Sequence, residues 1–137
     1  MKIILLIMIG ISILNADFTK SGDTVTDSVS KLEWQDDSAT ESATWVEAIE
    51  KCESLNLSGH SDWRLPNINE LKSIVDRSKE NPAIVETFQN NYSSYYWSST
   101  TYEGSSGGAW LVYFGYGLVY SDGKSTNGYV RCVRGGQ

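Results

Sequence analysis

The chain contains few of the residues that build several common kinds of site. Its 137 residues include one histidine, two cysteines and two prolines, and 11 lysines and arginines stand against 17 aspartates and glutamates. A single histidine (His60) and two widely separated cysteines do not provide the ligand spacing of the usual zinc sites. The formal charge of −6 argues against a general nucleic-acid-binding protein, which needs a basic face. The length suits one domain, and we expect neither a metal nor a cofactor.

The longest apolar run lies at the amino terminus. Ile3–Leu14 has twelve residues, whereas a membrane-spanning helix needs about 20. The cationic Lys2, this run and the small residue Ala16 are typical of a secretory signal peptide. We therefore predict a signal peptide over residues 1–16, a mature domain over residues 17–137, and a secreted, periplasmic or cell-surface location. An uncleaved anchor or a buried first strand is the alternative.

If the chain is exported, its two cysteines are expected to form a disulfide bond. Thiols tend to pair in an oxidising compartment, and Cys52 and Cys132 are the two that the chain has. Their bridge would close a loop of about 80 residues and contribute roughly 4–5 kcal/mol on the chain-entropy model. Two buried free thiols are the alternative, since neither residue has the surroundings of a reactive cysteine.

Two segments in the first half of the chain have helix patterns. Thr44 and Glu47 fit a capping box, and apolar residues recur after them at helical spacing as far as Leu55. Asn67 fits a second helix cap, and the apolar residues that follow predict a helix ending near Arg77.

The remaining patterns predict strands. Six stretches have the alternation or the aromatic and β-branched content of strands: residues 24–26, 31–35, 95–101, 109–114, 118–120 and 129–134. Two dipeptides, Asp122-Gly123 and Asn127-Gly128, are turn signals. We therefore predict an α+β domain in which two helices pack on one small twisted antiparallel sheet.

Several motifs, taken in order, resemble one bacterial family. They are Thr24-Val25-Thr26-Asp27, Leu32-Glu33-Trp34-Gln35, Thr44-Trp45 through Cys52, Ser61-Asp62-Trp63-Arg64-Leu65-Pro66-Asn67 with Glu70-Leu71, Tyr96-Trp97-Ser98-Ser99-Thr100, Ala109-Trp110, and Val130-Arg131-Cys132-Val133-Arg134-Gly135. Their order and content resemble the DUF1566 family, also called the Lcl C-terminal domain family after a collagen-like adhesin. The resemblance extends from Phe18 to Gly136.

This resemblance implies a C-type-lectin-like fold, related to the formylglycine-generating-enzyme domain. In that fold a cysteine of the first helix bonds to one in the last strand, which implies a Cys52–Cys132 disulfide. The namesake domain is associated with adhesion and with sulfated polysaccharides, but the acidic composition of this chain disagrees with a sulfated ligand. The calcium-holding triplets of sugar-binding C-type lectins are missing, since Glu80-Asn81-Pro82 is out of order and two serines follow Trp97.

The candidates for catalysis are weak. His60 lies in a Gly-Ser turn, and Ser98 and Ser99 lack the Gly-x-Ser-x-Gly setting of a hydrolase nucleophile. Formylglycine-generating enzymes use an active cysteine pair, whereas the two cysteines here are those of the implied disulfide. We expect no enzymatic activity, and a formylglycine-type enzyme is the least favoured alternative.

The Asp-Trp-Arg-Leu-Pro motif is expected to be structural. Trp63 would pack in the core, and Arg64 would pair with Glu70 or Asp62 and tie a strand to a helix. A binding motif is the alternative. Two further tryptophans are also expected to be structural: Trp97 and Trp110.

A group of acidic residues precedes the first helix. Asp36, Asp37 and Glu41 carry oxygen atoms of the kind that bind calcium. Their spacing lacks the Asp-x-Asp-x-Asp-Gly pattern of a calcium loop, so we predict a solvated loop.

The tyrosines are the most informative residues for function, since all eight lie between Tyr92 and Tyr129. Sheet packing accounts for about half of them, and the exposed ones suit stacking on sugars or on proteins at little entropic cost. We predict a ligand surface on the loop 102–108 and on the adjacent hairpin tips. Its candidate residues are Tyr102, Glu103, Tyr116, Tyr120, Asp122, Lys124 and Asn127.

These observations predict an exported, non-enzymatic binding module that recognises an extracellular polysaccharide or another glycan in adhesion. A module that binds a protein of the bacterial envelope is the alternative, and a purely structural role is less favoured. We expect no nucleic-acid partner and no membrane span after signal cleavage.

Overall fold

The computed structural model describes residues 16–38 and 41–136. The predicted signal peptide therefore lies outside the described residues, apart from Ala16. Within the described ranges no helix has both the length and the apolar character that crossing a bilayer requires.

The described chain is an α+β domain with two helices. The predicted strand over residues 95–101 has its predicted boundaries, the other predicted strands have changed ones, and the first strand was not predicted. In chain order the elements are β1 (Phe18–Ser21), β2 (Thr24–Asp27), β3 (Leu32–Gln35), α1 (Trp45–Glu53), α2 (Ile68–Lys72), β4 (Tyr95–Thr101), β5 (Gly108–Tyr113), β6 (Leu118–Gly123) and β7 (Val133–Gly135). The predicted turn at Asp122-Gly123 belongs to the end of β6 instead.

The strands form two antiparallel sheets, so the prediction of one sheet was wrong. The first sheet has the order β1-β2-β3-β7 and the second the order β4-β5-β6. The chain before β7 connects them, because Tyr129 bridges to Tyr96 in β4 and Val133 then pairs with Trp34 in β3. Strand patterns in a sequence do not specify hydrogen-bonding partners, which is why the division was not predicted.

Both helices begin where their caps predict. The Glu47 carboxylate accepts a hydrogen bond from the Thr44 amide at 3.0 Å, and the Asn67 side chain accepts one from the Glu70 amide at 2.8 Å. The second helix ends at Lys72, five residues before the predicted end. It ends early because the chain becomes extended and pairs Val75 with Ile84.

The second sheet separates two hydrophobic cores. Tyr96 and Val112 pair in register and belong to the first core, which includes residues of the first sheet and of α2. Their neighbours Trp97 and Leu111 also pair, and they belong to the second core with Cys52 of α1. Successive side chains of a strand point to opposite faces, so the second sheet is covered on both faces over part of its length.

The Asp-Trp-Arg-Leu-Pro motif makes structural contacts. Trp63 is buried in the second core, and the Arg64 guanidinium donates two hydrogen bonds to Glu70, at 2.7 and 2.8 Å. Asp62 instead accepts a hydrogen bond from Arg134 at 2.6 Å. The two ion pairs tie the segment to α2 and to β7.

The implied disulfide is present. Cys52 and Cys132 are bonded, with their Cα atoms 5.4 Å apart and a sequence separation of 80 residues. The bond joins α1 to the residue that precedes β7, and both cysteines are buried in the second core. This contact rules out the alternative of two free thiols.

Replacing both cysteines by alanine should lower the free energy of unfolding by about 4 kcal/mol, because the unfolded chain is no longer closed into a long loop. Denaturant unfolding of the oxidised parent and the Cys52→Ala/Cys132→Ala variant measures this difference. Reductant should shift the parent's transition and leave the variant's unchanged. Equal transition midpoints for the two oxidised proteins would contradict the prediction.

Candidate functional site

The second sheet has an exposed aromatic surface at one end. The large apolar or aromatic side chains that are exposed in the described ranges are Val29, Val46, Tyr92, Tyr95, Tyr116, Leu118 and Tyr120. Four of these seven lie together, at the start of β4, in the turn between β5 and β6, and in the first half of β6: Tyr95, Tyr116, Leu118 and Tyr120. Apolar side chains exposed singly are ordinary, whereas a contiguous group indicates an interaction surface.

Four tyrosines of this surface contact one another, and we call them the tyrosine cluster: Tyr95, Tyr113, Tyr116 and Tyr120. Tyr113 is central, with its ring centroid 4.7 Å from that of Tyr95, 5.8 Å from that of Tyr116 and 6.3 Å from that of Tyr120. The Tyr95 and Tyr120 centroids are 5.7 Å apart. These separations are those of packed aromatic pairs, so the rings form one continuous surface.

Strand register explains the position of the cluster. Tyr95 pairs with Tyr113, two residues along from the pair of Trp97 and Leu111, so all four side chains lie on the same sheet face. Trp97 is 0% exposed, whereas Tyr95 is 42% exposed. The second core therefore covers one end of this face and leaves the tyrosine end open.

Two glycines shape the turn that carries Tyr116. A Cβ atom on Gly115 would overlap the Tyr113 ring. Gly117 has a φ of +76°, and a Cβ atom there would lie 2.6 Å from Cγ1 of Val75. The turn can therefore pack closely against both the central tyrosine and the chain after α2.

A small pocket lies at the other end of β6. Tyr102 and Asp122 line a cavity of about 310 Å³ together with serines and glycines of the loop 102–108 and of β6. Asp122 follows Tyr120 by two residues, so alternation places both side chains on one face, about 7 Å apart along the strand. The Tyr102 ring packs on Trp110, with 4.9 Å between the ring centroids. Because Trp110 alternates with Leu111 along β5, the Tyr102 side of the pocket lies on the sheet face opposite the tyrosine cluster.

Two predicted ligand residues support the loop instead. The Glu103 carboxylate accepts a hydrogen bond from the Trp110 indole nitrogen at 2.9 Å. The Lys124 ammonium donates to the Thr101 hydroxyl at 3.0 Å and lies 4.1 Å from the centre of the Trp45 ring. These contacts fix the loop against β5 and α1.

The structure therefore distributes the seven predicted residues over several places. Tyr116 and Tyr120 are in the tyrosine cluster, and Tyr102 and Asp122 line the loop pocket. Asn127 is exposed and precedes Gly128, which pairs with Ala43 just before α1. Two members of the cluster were not among the predicted residues: Tyr95 and Tyr113. Their aromatic type was a signal, but their pairing depends on a register that the sequence does not show.

The acidic group before α1 differs from the predicted solvated loop, because the Asp36 side chain is 0% exposed. Its carboxylate accepts hydrogen bonds from the Lys20 ammonium at 2.7 Å and from the amides of Gln89 and Asn90 at 3.0 Å each. It also pairs with Arg131 at 3.2 Å. The prediction failed for Asp36 because all four partners are distant in sequence.

Arg131 is the buried cation of the same network. Its guanidinium donates to the carbonyl oxygen of Asn90 and to the side-chain oxygen of Asn91, both at 2.7 Å. It also lies 4.8 Å from the centre of the Phe88 ring. The network joins the end of β3, the segment before β4 and the segment before β7. The network therefore has a structural role. Across residues 16–38 and 41–136, no group of three or more His, Cys, Asp or Glu side chains could hold a metal ion.

The network lowers the pKa of Asp36. Burial is the largest single influence and would raise the pKa of this carboxyl group, but the Lys20 hydrogen bond, the Gln89 and Asn90 amides and the Arg131 charge together outweigh it. The pKa of Glu70 is lowered in the same way, since the Arg64 and Asn67 hydrogen bonds outweigh burial. Both carboxylates therefore stabilise the fold in their ionised form.

Comparison with known proteins identifies a family whose sequence model matches this chain. A family model described as the Lcl C-terminal domain matches residues 23–134, which is most of the chain and includes the tyrosine cluster and the loop pocket. A search of the curated proteins found no match.

The Asp36→Asn variant should lose about 3–5 kcal/mol of unfolding free energy at neutral pH, because it leaves the Arg131 charge buried without its partner. A lowered pKa means that the stabilisation is complete above the unfolded-state value of about 4 and is lost as pH falls below it. The difference in unfolding free energy between parent and variant should therefore become smaller as the pH is lowered.

Urea unfolding at several pH values between about 7 and about 2 measures this difference. The control is Asp23→Asn, since Asp23 is exposed on a turn, and it should match the parent throughout. The prediction would be contradicted if the difference in unfolding free energy between the parent and Asp36→Asn stayed constant down to the lowest pH.

Proposed function

We propose a binding function for this chain, which belongs to the Lcl C-terminal domain family. On this proposal it is an exported, non-enzymatic module that recognises an extracellular polysaccharide, and its fold is of the C-type-lectin-like kind. The α+β architecture and the disulfide between α1 and the end of the chain support that fold.

The tyrosine cluster is the observation that carries the proposal. Tyr95, Tyr116 and Tyr120 are each more than 40% exposed and all contact one another or Tyr113. Tyrosine combines a flat apolar ring with a hydroxyl group. A sugar ring likewise has apolar C–H faces and hydroxyl groups, so the two surfaces are chemically complementary.

The length of the surface favours a chain of sugar units over a single sugar. Tyr120 of the cluster and Asp122 lie on one face of β6, a strand of six residues that spans about 20 Å. Asp122 lines the loop pocket at the far end, whereas the Tyr102 ring packs on Trp110, on the opposite face of the sheet. Asp122 would accept hydrogen bonds from sugar hydroxyl groups there.

The framework holds the rings in place before any ligand arrives. Tyr95 and Tyr113 stand on paired strands, and the Tyr113 ring packs against three other rings and Gly115. Side chains that are already ordered lose little conformational entropy on binding. This favours recognition of a partner, whereas catalysis would require reactive groups beside the rings.

Replacing two exposed rings of the cluster should weaken polysaccharide binding. We expect the Tyr116→Ala/Tyr120→Ala variant to bind about tenfold or more weakly, because exposed tyrosines at the centre of a binding surface carry much of its energy. The control is Tyr92→Ala, since Tyr92 is 43% exposed but stacks on Tyr129 outside the cluster. It should bind within about twofold of the parent.

The measurement is binding of the mature chain to a panel of neutral and acidic polysaccharides, with and without EDTA, after circular dichroism has shown that each variant is folded. We expect binding in EDTA to equal binding in calcium. Equal binding by parent and double variant would contradict the proposal. The protein-binding alternative would be supported instead if the parent bound none of the polysaccharides but captured one envelope protein, and if the double variant did not capture that protein.

A further inference from the structure

A second cavity adjoins the tyrosine cluster and has a different character. It has a volume of about 370 Å³ and is lined by Lys72, Val75, Arg77 and Gly117. Gly117 is the residue between Tyr116 and Leu118, both of which are exposed. Val75 and α2 pack on the first core, so the cavity lies on the sheet face opposite the tyrosine cluster. The turn that carries Tyr116 joins the cavity to the cluster, at the end away from the loop pocket.

The two cations of this cavity are unusual in the chain. Six other described cations form ion pairs with carboxylates: Lys20, Lys51, Arg64, Lys79, Arg131 and Arg134. Lys124 donates hydrogen bonds to the loop 102–108 and to Thr101. The side chains of Lys31, Lys72 and Arg77 are the ones without such a partner within the described ranges. Two of these three line the same cavity.

The backbone fixes the cations beside the turn. The amides of Asn81 and Ala83 donate to the carbonyl oxygens of Gly115 and Phe114, at 2.8 and 2.7 Å. These bonds dock the chain that follows Arg77 onto the turn between β5 and β6.

The acidic neighbour of Arg77 has other partners. The Asp76 carboxylate accepts hydrogen bonds from Ser78, from its amide at 2.9 Å and from its hydroxyl at 2.5 Å. Arg77 itself is exposed, so its guanidinium is available to a ligand. A guanidinium binds a carboxylate through two parallel hydrogen bonds, and a nearby ammonium adds a second positive charge.

We infer that this cavity binds the carboxylate of an acidic sugar unit whose neighbouring units pass the turn at Tyr116 and lie on the tyrosine cluster. The inference rests on the proposed function and narrows its ligand to a polysaccharide with about one carboxylate per sugar. One cationic pair in a chain of charge −6 favours such a ligand, because a densely sulfated polymer would be repelled by the acidic surroundings.

The test compares polygalacturonate with its fully methyl-esterified form, which has the same backbone without charge. Heparin serves as the densely sulfated probe. The variants are Lys72→Gln and Arg77→Gln, and Lys31→Gln is the matched control because it removes one equally unpaired cation from another place. Binding is measured with the mature chain at low and at physiological salt.

We expect polygalacturonate to bind more tightly than its methyl ester. Arg77→Gln and Lys72→Gln should each weaken polygalacturonate binding by about fivefold at low salt and by less at physiological salt. Neither variant should change binding of the ester, and Lys31→Gln should leave both affinities within about twofold of the parent.

The outcomes separate the two proposals. Equal binding of acid and ester, unchanged in both variants, would overturn the carboxylate subsite and leave polysaccharide binding intact. Tighter binding of heparin than of polygalacturonate would overturn the choice of a carboxylate ligand. A chain that binds none of the three polymers would overturn the subsite and the proposed function together.

Discussion

The ion pair between Asp36 and Arg131 is the interaction on which the arrangement of the two sheets depends. Asp36 follows β3 in the first sheet, and Arg131 lies between the bridge to β4 and the start of β7. A buried pair is stable only when nearly every hydrogen bond around it is made. Asp36 and Arg131 achieve this by bonding to residues 89–91, which lead directly into β4. The pair therefore sets where the second sheet stands relative to the first.

The position of the second sheet determines which of its side chains remain exposed to solvent. The first core fills the space between the sheets, and the disulfide holds α1 against the opposite face of the second sheet. The second core, which includes α1 and the disulfide, buries Trp97 and leaves Tyr95 at the rim, two residues away on the same strand. Three of the four cluster rings are more than 40% exposed, so they contribute less to the hydrophobic stabilisation of the fold than buried rings do. Recognition of a partner is the physical reason that we propose for keeping them there.

The parts of this structure that depend on near neighbours could be predicted from the sequence, and the parts that depend on distant ones could not. The caps at Thr44 and Asn67 act over three residues, and both were predicted correctly. The disulfide was implied by the family resemblance. Asp36 was assigned to a solvated loop because its partners lie 16 to 95 residues away. The aromatic composition indicated a surface, but only the register of β4 on β5 brings Tyr95 to Tyr113.

The central proposal is that a saccharide lies along the tyrosine cluster and β6. Its most direct measurement is a titration of the ¹⁵N-labelled mature chain with oligogalacturonides, followed by the backbone amide signals. The largest shifts should occur at Tyr113, at residues 116–120 and at Arg77, with smaller ones at Asp122 and none at Tyr92. Shifts that are centred elsewhere, such as the cavity between Leu55 and Val130, with the signals of residues 116–120 unmoved, would contradict the proposal.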